Sequence, residues 1–200
     1  MQLVLATRNK DKIREIRNLL DDLPVTIMTF DNFLDFPDIE ETGTTFEENA
    51  ILKARGIAEF TGFPALADDS GLEVDALNGA PGVYSSRYAG PGCTYDDNNR
   101  KLLSEMEGVE KDKRTARFRS VIAVAWDEKS VETVEGIAEG IITDKKYGGD
   151  GFGYDPVFYY PPAGKTFAEM TLEEKNKVSH RGRALVKAKE LLVKELSKAN

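Results

Sequence analysis

Apolar and polar positions along this 200-residue chain change period several times. Residues 3–7 (LVLAT) are a short apolar run, the pattern of a buried strand. From Asn9 the apolar residues recur at helical spacing instead, at Ile13, Ile16, Leu19 and Leu20, with charges between them. Asn9 can cap that helix, and Pro24 lies just beyond its end. Residues 25–30 read as a second strand. An acidic loop with Pro and Gly follows at 35–45, closing on Thr45 and Glu48 at capping-box spacing. Phe46, Ala50, Ile51, Ala54, Ile57 and Ala58 give the next helix one apolar face, which Gly62 and Pro64 stop. Residues 64–68 (PALAD) are strand-like again. Gly79, Pro81, Gly82, Gly90, Pro91 and Gly92 punctuate an irregular segment, and a helix follows from about Tyr95 to Met106. Residues 115–127 and 130–143 read as two long strands joined by a turn. A Gly-rich aromatic loop occupies 145–158, and a short helix covers 171–177. A final helix runs from about Arg183, with Leu185, Ala188, Leu192 and Leu196 facing inward.

Helices and strands alternate early and an antiparallel pair comes later. This order predicts an α/β fold with a mixed central sheet flanked by helices. The length suits one domain over residues 1–200, with two lobes around a cleft. There is no internal repeat, low-complexity tract or linker. A formal net charge of −8 argues against binding nucleic-acid phosphates or acidic membranes. It leaves room for a small anionic ligand, because local cations or a metal override a global charge. Cys93 is the only cysteine, so no intrachain disulfide or zinc cluster is expected, and a reducing cytoplasm fits. No signal peptide and no apolar run near the length of a membrane span is evident.

Five segments carry candidate chemistry. In ATRNKDK (6–12) a strand gives way to a helix, whose free N–H groups and dipole suit phosphate, with Lys12 able to add an ammonium. The same residues also describe a capped helix with solvated lysines, and the glycines of a Walker-type loop are missing. Glu40 and Glu41 are hard oxygen donors suited to Mg²⁺, or a solvated acidic turn. Lys53 reads more readily as a surface lysine than as a phosphate ligand. Asp68 and Asp69 end an apolar strand with two like charges, which resist desolvation. A divalent cation would relieve that repulsion, and one carboxylate could deprotonate a water; a turn pair is the plainer alternative. GGDGFGYDPVF (148–158) offers aromatic rings on a pliable loop, able to stack a flat base or to plug the core. His180 is the only histidine, in SHRGRAL (179–185), ahead of the final helix; no nucleophile–histidine triad is supported.

Together LATRNKDKIREI, EETGTTFEENAILKAR, ADDSGLEVDALNGAPGVYSSRYAG, GDGFGYDPVF and EEKNKVSHRGRAL, in that order, resemble the inosine triphosphate pyrophosphatase (HAM1-like) family over nearly the whole chain. The resemblance implies an elongated mixed sheet with two lobes, a Mg²⁺-dependent homodimer, and hydrolysis of dITP, ITP and XTP to monophosphate and pyrophosphate. It implies that Thr7, Arg8, Asn9, Lys10, Asp11 and Lys12 hold the triphosphate and that Ser70 touches substrate. Asp69 is then the proton acceptor and a metal ligand, with Glu40 as the other acidic ligand and Glu41 in its place if the loop register differs. Phe152, Gly153, Tyr154, Asp155, Lys175, His180 and Arg181 form the nucleoside pocket and its rim. The partners expected are a purine nucleoside triphosphate and a second copy of the chain, with no nucleic acid or membrane. A Maf-like nucleotide pyrophosphatase and a non-catalytic nucleotide-binding module are the competing readings. SHRGRAL and GFGYDP favour the purine enzyme over the first, and the crowded aspartates argue against the second.

Overall fold

The computed structural model describes residues 1–198. The main elements are β1 (Gln2–Leu5), α1 (Lys10–Leu20), β2 (Thr26–Met28), α2 (Phe46–Thr61), β3 (Ala65–Val74), α3 (Tyr95–Glu105), β4 (Thr115–Ala125), β5 (Val131–Ile142), β6 (Phe158–Tyr160), β7 (Lys165–Thr166), α4 (Leu172–Val178) and α5 (His180–Lys198). The strands form one sheet in the order β2-β1-β3-β4-β5-β6-β7. β1 runs parallel to β2 and β3, with Val4 opposite both Met28 and Ala65. β6 is antiparallel to β5 and β7. The sheet is therefore mixed, as the alternation of periods predicts.

The chain divides into two compact units. The first holds Met1–Asp69, Ser120–Gly136 and the stretch from Arg181 onward; the second holds Ser70–Arg119 and Ile137–His180. In the first, Leu3, Leu5, Leu66, Ile122 and Val124 of the strands pack on Ile13, Ile16 and Leu20 of α1 and Leu185, Ala188 and Leu192 of α5. In the second, Leu72, Val74 and Phe118 pack with Leu102 and Met106 of α3 and with Phe158 and Phe167. Each fully buried side chain of this size contributes about 1.5–3 kcal/mol.

Helix starts follow their caps. Asn9 Oδ1 accepts from the N–H groups of Asp11 and Lys12 at 2.9 and 3.2 Å. Capping boxes Thr45/Glu48, Thr94/Asp97 and Thr171/Glu174 open α2, α3 and α4, each cap stabilising its helix by about 1 kcal/mol.

Four expectations are corrected. β3 does not end at Asp68 but continues through the acidic pair to Val74. α5 begins at His180, not Arg183, because Ser179 alone, in an extended conformation, separates it from α4. β2 is shortened by a 3₁₀ turn at Phe30–Asn32, where Asn32 Oδ1 takes the Thr29 N–H. Leu196 is only half-buried. β6 and β7, three and two residues long, carry too few positions to show a period.

Candidate active site

The two aspartates share a strand, so their side chains leave opposite faces of the pleat. Neighbours in sequence thus acquire separate environments. On one face Asp68 Oδ2 meets Lys12 Nζ of α1 at 3.0 Å and Arg181 Nε of α5 at 2.9 Å. Ser120 Oγ donates to its Oδ1 at 2.6 Å. Arg181 is held further by Glu15 of α1, whose Oε2 accepts from Nη1 at 2.5 Å. Asp68, Arg181 and Glu15 are all at most 2% exposed. Burial opposes the charge on Asp68, but Arg181 and Lys12 outweigh it and hold the carboxyl well below the usual range. Burial lowers Lys12 despite Asp68, while Asp68 and Glu15 raise Arg181 against its burial. Asp68 is a fixed anion in a saturated network, not a base.

On the other face Asp69 Oδ1 meets Lys53 Nζ of α2 at 2.6 Å. Glu41 Oε1 lies 2.8 Å from the same ammonium. Burial pushes the Asp69 carboxyl up, against the pull of Lys53, and the net direction is upward. Lys53 is raised, because Asp69 and Glu41 outweigh its own burial. A buried carboxylate with a raised pKa is the better proton acceptor near neutrality. Two carboxylates converging on one cation also make a donor set for a hard divalent ion. No cluster of three or more His, Cys, Asp or Glu side chains suited to a metal occurs among the described residues.

The acidic partner of Asp69 is Glu41, and Glu40 is exposed with no ion pair among the described residues. Ile39 packs on Gly56 of α2, where an added Cβ would lie 2.7 Å from Ile39 Cδ1. Glu40 then turns outward and Glu41 returns to Lys53, three residues from Gly56 on the same helix face. Lys53, read from sequence as a surface lysine, is instead a central cation.

At the start of α1, Thr7 Oγ1 accepts from Asn9 N at 3.1 Å. Asn9 itself takes up two of the helix N–H groups, so Lys12 is the residue that joins this turn to the aspartates. Its Nζ also donates to the Asp68 carbonyl at 3.1 Å. Lys10 is exposed, and Asp11 pairs with Arg14 at 3.4 Å. Arg8 lies over the rings of Phe30 and Phe36 and donates to the Phe36 carbonyl.

The second unit holds Ser70, Phe152, Gly153, Tyr154, Asp155, Lys175 and His180. Asp155 is buried and accepts from Phe152 N at 2.8 Å and Lys175 Nζ at 2.6 Å. Gly151 has φ +77°, and a Cβ there would sit 2.3 Å from Asp155 Oδ2, so only glycine fits. The Lys175 ammonium lies 4.7 Å from the Phe152 ring centroid, a cation–π contact. Tyr154 departs from its expected place in the pocket. Its ring belongs to the unit's core and its hydroxyl donates to Ser85 O at 2.8 Å, so only its backbone could reach a ligand. His180 is also packed, stacked on Phe118 at 4.5 Å and 8°. Ser70 follows Asp69 directly, and His180 precedes Arg181.

Sequence reasoning missed Glu15 and Ser120. Glu15 did leave a signal: it stands beside Ile16 on the inward face of α1, three residues from Lys12. Ser120 sits in an apolar strand and leaves none.

A family model described as Ham1 family matches residues 3–191. A protein of Desulforamulus reducens named dITP/XTP pyrophosphatase is 55% identical over 192 residues, covering 96% of each chain. One of Geobacter sulfurreducens with the same name is 54% identical, again over 96% of each. Among solved structures, a HAM1 protein from Coxiella burnetii superposes with a TM-score of 0.89 at 46% identity, covering 97% of this chain and 99% of that one.

Proposed function

The chain belongs to the Ham1 family, and we propose that it hydrolyses dITP, ITP and XTP to the monophosphate and pyrophosphate. The observation that carries this reading is the inequality of the two adjacent aspartates. Asp68 is consumed by Lys12, Arg181 and Ser120. Asp69 stands with Glu41 on a single ammonium and has a raised pKa. A reacting water needs one such base beside an electropositive phosphate cradle.

Lys12 and Lys53 neutralise phosphate charge, and Asp69 accepts the proton of a water that attacks the α-phosphorus in line, so that pyrophosphate leaves. Glu41 and Asp69 would hold Mg²⁺, whose bound form supplies charge neutralisation to the phosphates. Two protein carboxylates suffice, because Mg²⁺ ordinarily completes its shell with water and substrate oxygens. Phe152, beside the Lys175 ammonium, stacks the base. Arg181 is buried and clamped by Glu15 and Asp68, which leaves backbone N–H groups near His180 as the donors for the base edge. A fixed donor suits recognition of the 6-oxo acceptor of hypoxanthine or xanthine, against which the 6-amino group of adenine would set donor against donor. Such a mismatch costs about 1–3 kcal/mol.

The reading carries with it a homodimer in the cytoplasm, on the family resemblance alone; sedimentation measures the first. No helix among the described residues is long and apolar enough to cross a membrane. The deciding experiment is pyrophosphate release across dITP, ITP, XTP, GTP and ATP, with and without Mg²⁺. Release from the first three and little from the last two is expected. Equal turnover of ATP would sink the assignment.

A further inference from the structure

Asn99 lies in the middle of α3 and is 2% exposed. A buried amide inside a helix is costlier than an aliphatic side chain of the same size, so its contacts should explain it. Its Nδ2 donates to Tyr95 O and to Gly153 O, each at 2.8 Å. Both amide hydrogens are used, which fixes the side chain's orientation: turned over, its oxygen would face two carbonyl oxygens. Oδ1 is left buried with no hydrogen-bond partner among the described residues. The Tyr95 bond is internal to the helix. The Gly153 bond reaches 54 positions along the chain to the loop that carries Phe152.

Other tethers of that loop hold its flanks. Asp155 takes the Phe152 N–H, and the Tyr154 hydroxyl reaches Ser85 O. Gly153, at φ +62°, sits between them. One turn before Asn99, the Tyr95 ring lies 5.9 Å from that of Phe152. α3 therefore grips the loop twice on one face, through an amide and through a ring.

We infer that Asn99 is a positioning residue for the nucleoside: it anchors the Gly153 carbonyl and so sets the orientation in which Phe152 meets the base. This rests on the reading of Phe152 as the base-stacking residue. Asn99→Leu matches the volume, removes the tether, and also removes the unpartnered acceptor. Melting at or above the wild-type temperature is therefore expected. KM for ITP should rise about tenfold, the size of one lost hydrogen bond, with kcat within about twofold. The inhibition constant of inosine monophosphate should rise in parallel, while that of pyrophosphate stays put. Asn99→Ala, which leaves a small void instead, should repeat the kinetic pattern whatever it does to melting. Unchanged KM and inosine monophosphate inhibition in folded Asn99→Leu would overturn the inference alone. So would equal weakening of inosine monophosphate and pyrophosphate, the mark of general damage. A wild-type protein that releases no pyrophosphate from ITP would overturn the functional reading and this inference together.

Discussion

The candidate residues of the first unit are held by charges, and those of the second by a loop. In the first, Glu15, Glu41, Asp68 and Asp69 are balanced by Lys12, Lys53 and Arg181, with pairings that span 56 residues for Lys12 to Asp68, 113 for Arg181 to Asp68 and 166 for Arg181 to Glu15. In the second, Asp155 finds Phe152 three residues away and Lys175 twenty away. Buried charges require partners wherever the chain can supply them. A glycine-rich turn can be held by its own neighbours. Substitutions in the first unit should therefore disturb stability and chemistry together, and those in the loop that spare the buried Asp155–Lys175 pair should disturb binding alone.

The largest effect expected is at Asp69, and it is the exception that sharpens the contrast. Asp69→Asn should lower kcat by about 10²–10⁴-fold, the usual share of a general base. It should not lower the melting temperature. The folded-state pKa of Asp69 is raised, so its ionised form is carried at a cost at neutral pH, and a neutral amide relieves that cost. Pyrophosphate release and thermal melts on one preparation test both halves.

Asp68→Asn comes next and has the opposite sign. It leaves Lys12 and Arg181 facing an amide in a dry site, and should destabilise the fold by about 3–5 kcal/mol. The folded-state pKa of Asp68 is depressed, so its contribution is present above the unfolded carboxyl value of about 3.9 and is lost as pH falls from there toward the folded value. Wild-type melting temperature should drop through that window, and the variant's curve should be flatter; a parallel drop in both would remove Asp68 from this role. For the same reason Arg181→Ala cannot isolate base reading, since it unpairs Glu15 and Asp68 at once.

In the loop, Phe152→Ala should raise KM for ITP about tenfold, as loss of one base–aromatic stack does, with little change in melting. A fall in stability as large as that of Asp68→Asn would erase the contrast between the units. The smallest effect expected lies in the acidic loop. Glu41→Gln should raise the Mg²⁺ concentration for half-maximal turnover several-fold, and Glu40→Gln should leave it nearly unchanged. The reverse order would return the metal to Glu40.

The same contrast explains what could be read in advance. The mixed sheet, the Asn9 cap of α1 and the Thr45/Glu48 capping box of α2 are local patterns, and they were legible. The continuation of β3 through Asp68, Asp69 and Ser70 was not. A strand keeps two adjacent carboxylates only because cations from α1, α2 and α5 arrive on its two faces, and no window of sequence contains them. Lys53 was misread for that reason: a lysine in a helix looks solvated until Glu41 and Asp69 are folded against it. Glu41 and Glu40 differ by one position of the chain, and the packing of Ile39 on Gly56 decides between them.

The interleaving of the two units has a consequence for synthesis. The first unit takes its last piece from Arg181 onward, so Asp68 emerges from the ribosome long before the guanidinium that stabilises its charge. Until Arg181 emerges, that carboxylate lacks one of the two cations that hold its charge, and β3 has no α5 to cover it. The nascent chain should remain open to proteases and chaperones until α5 has emerged. A stop codon near position 180 should then yield a product that fails to complete its first unit, even though every other residue of the acidic site has been made.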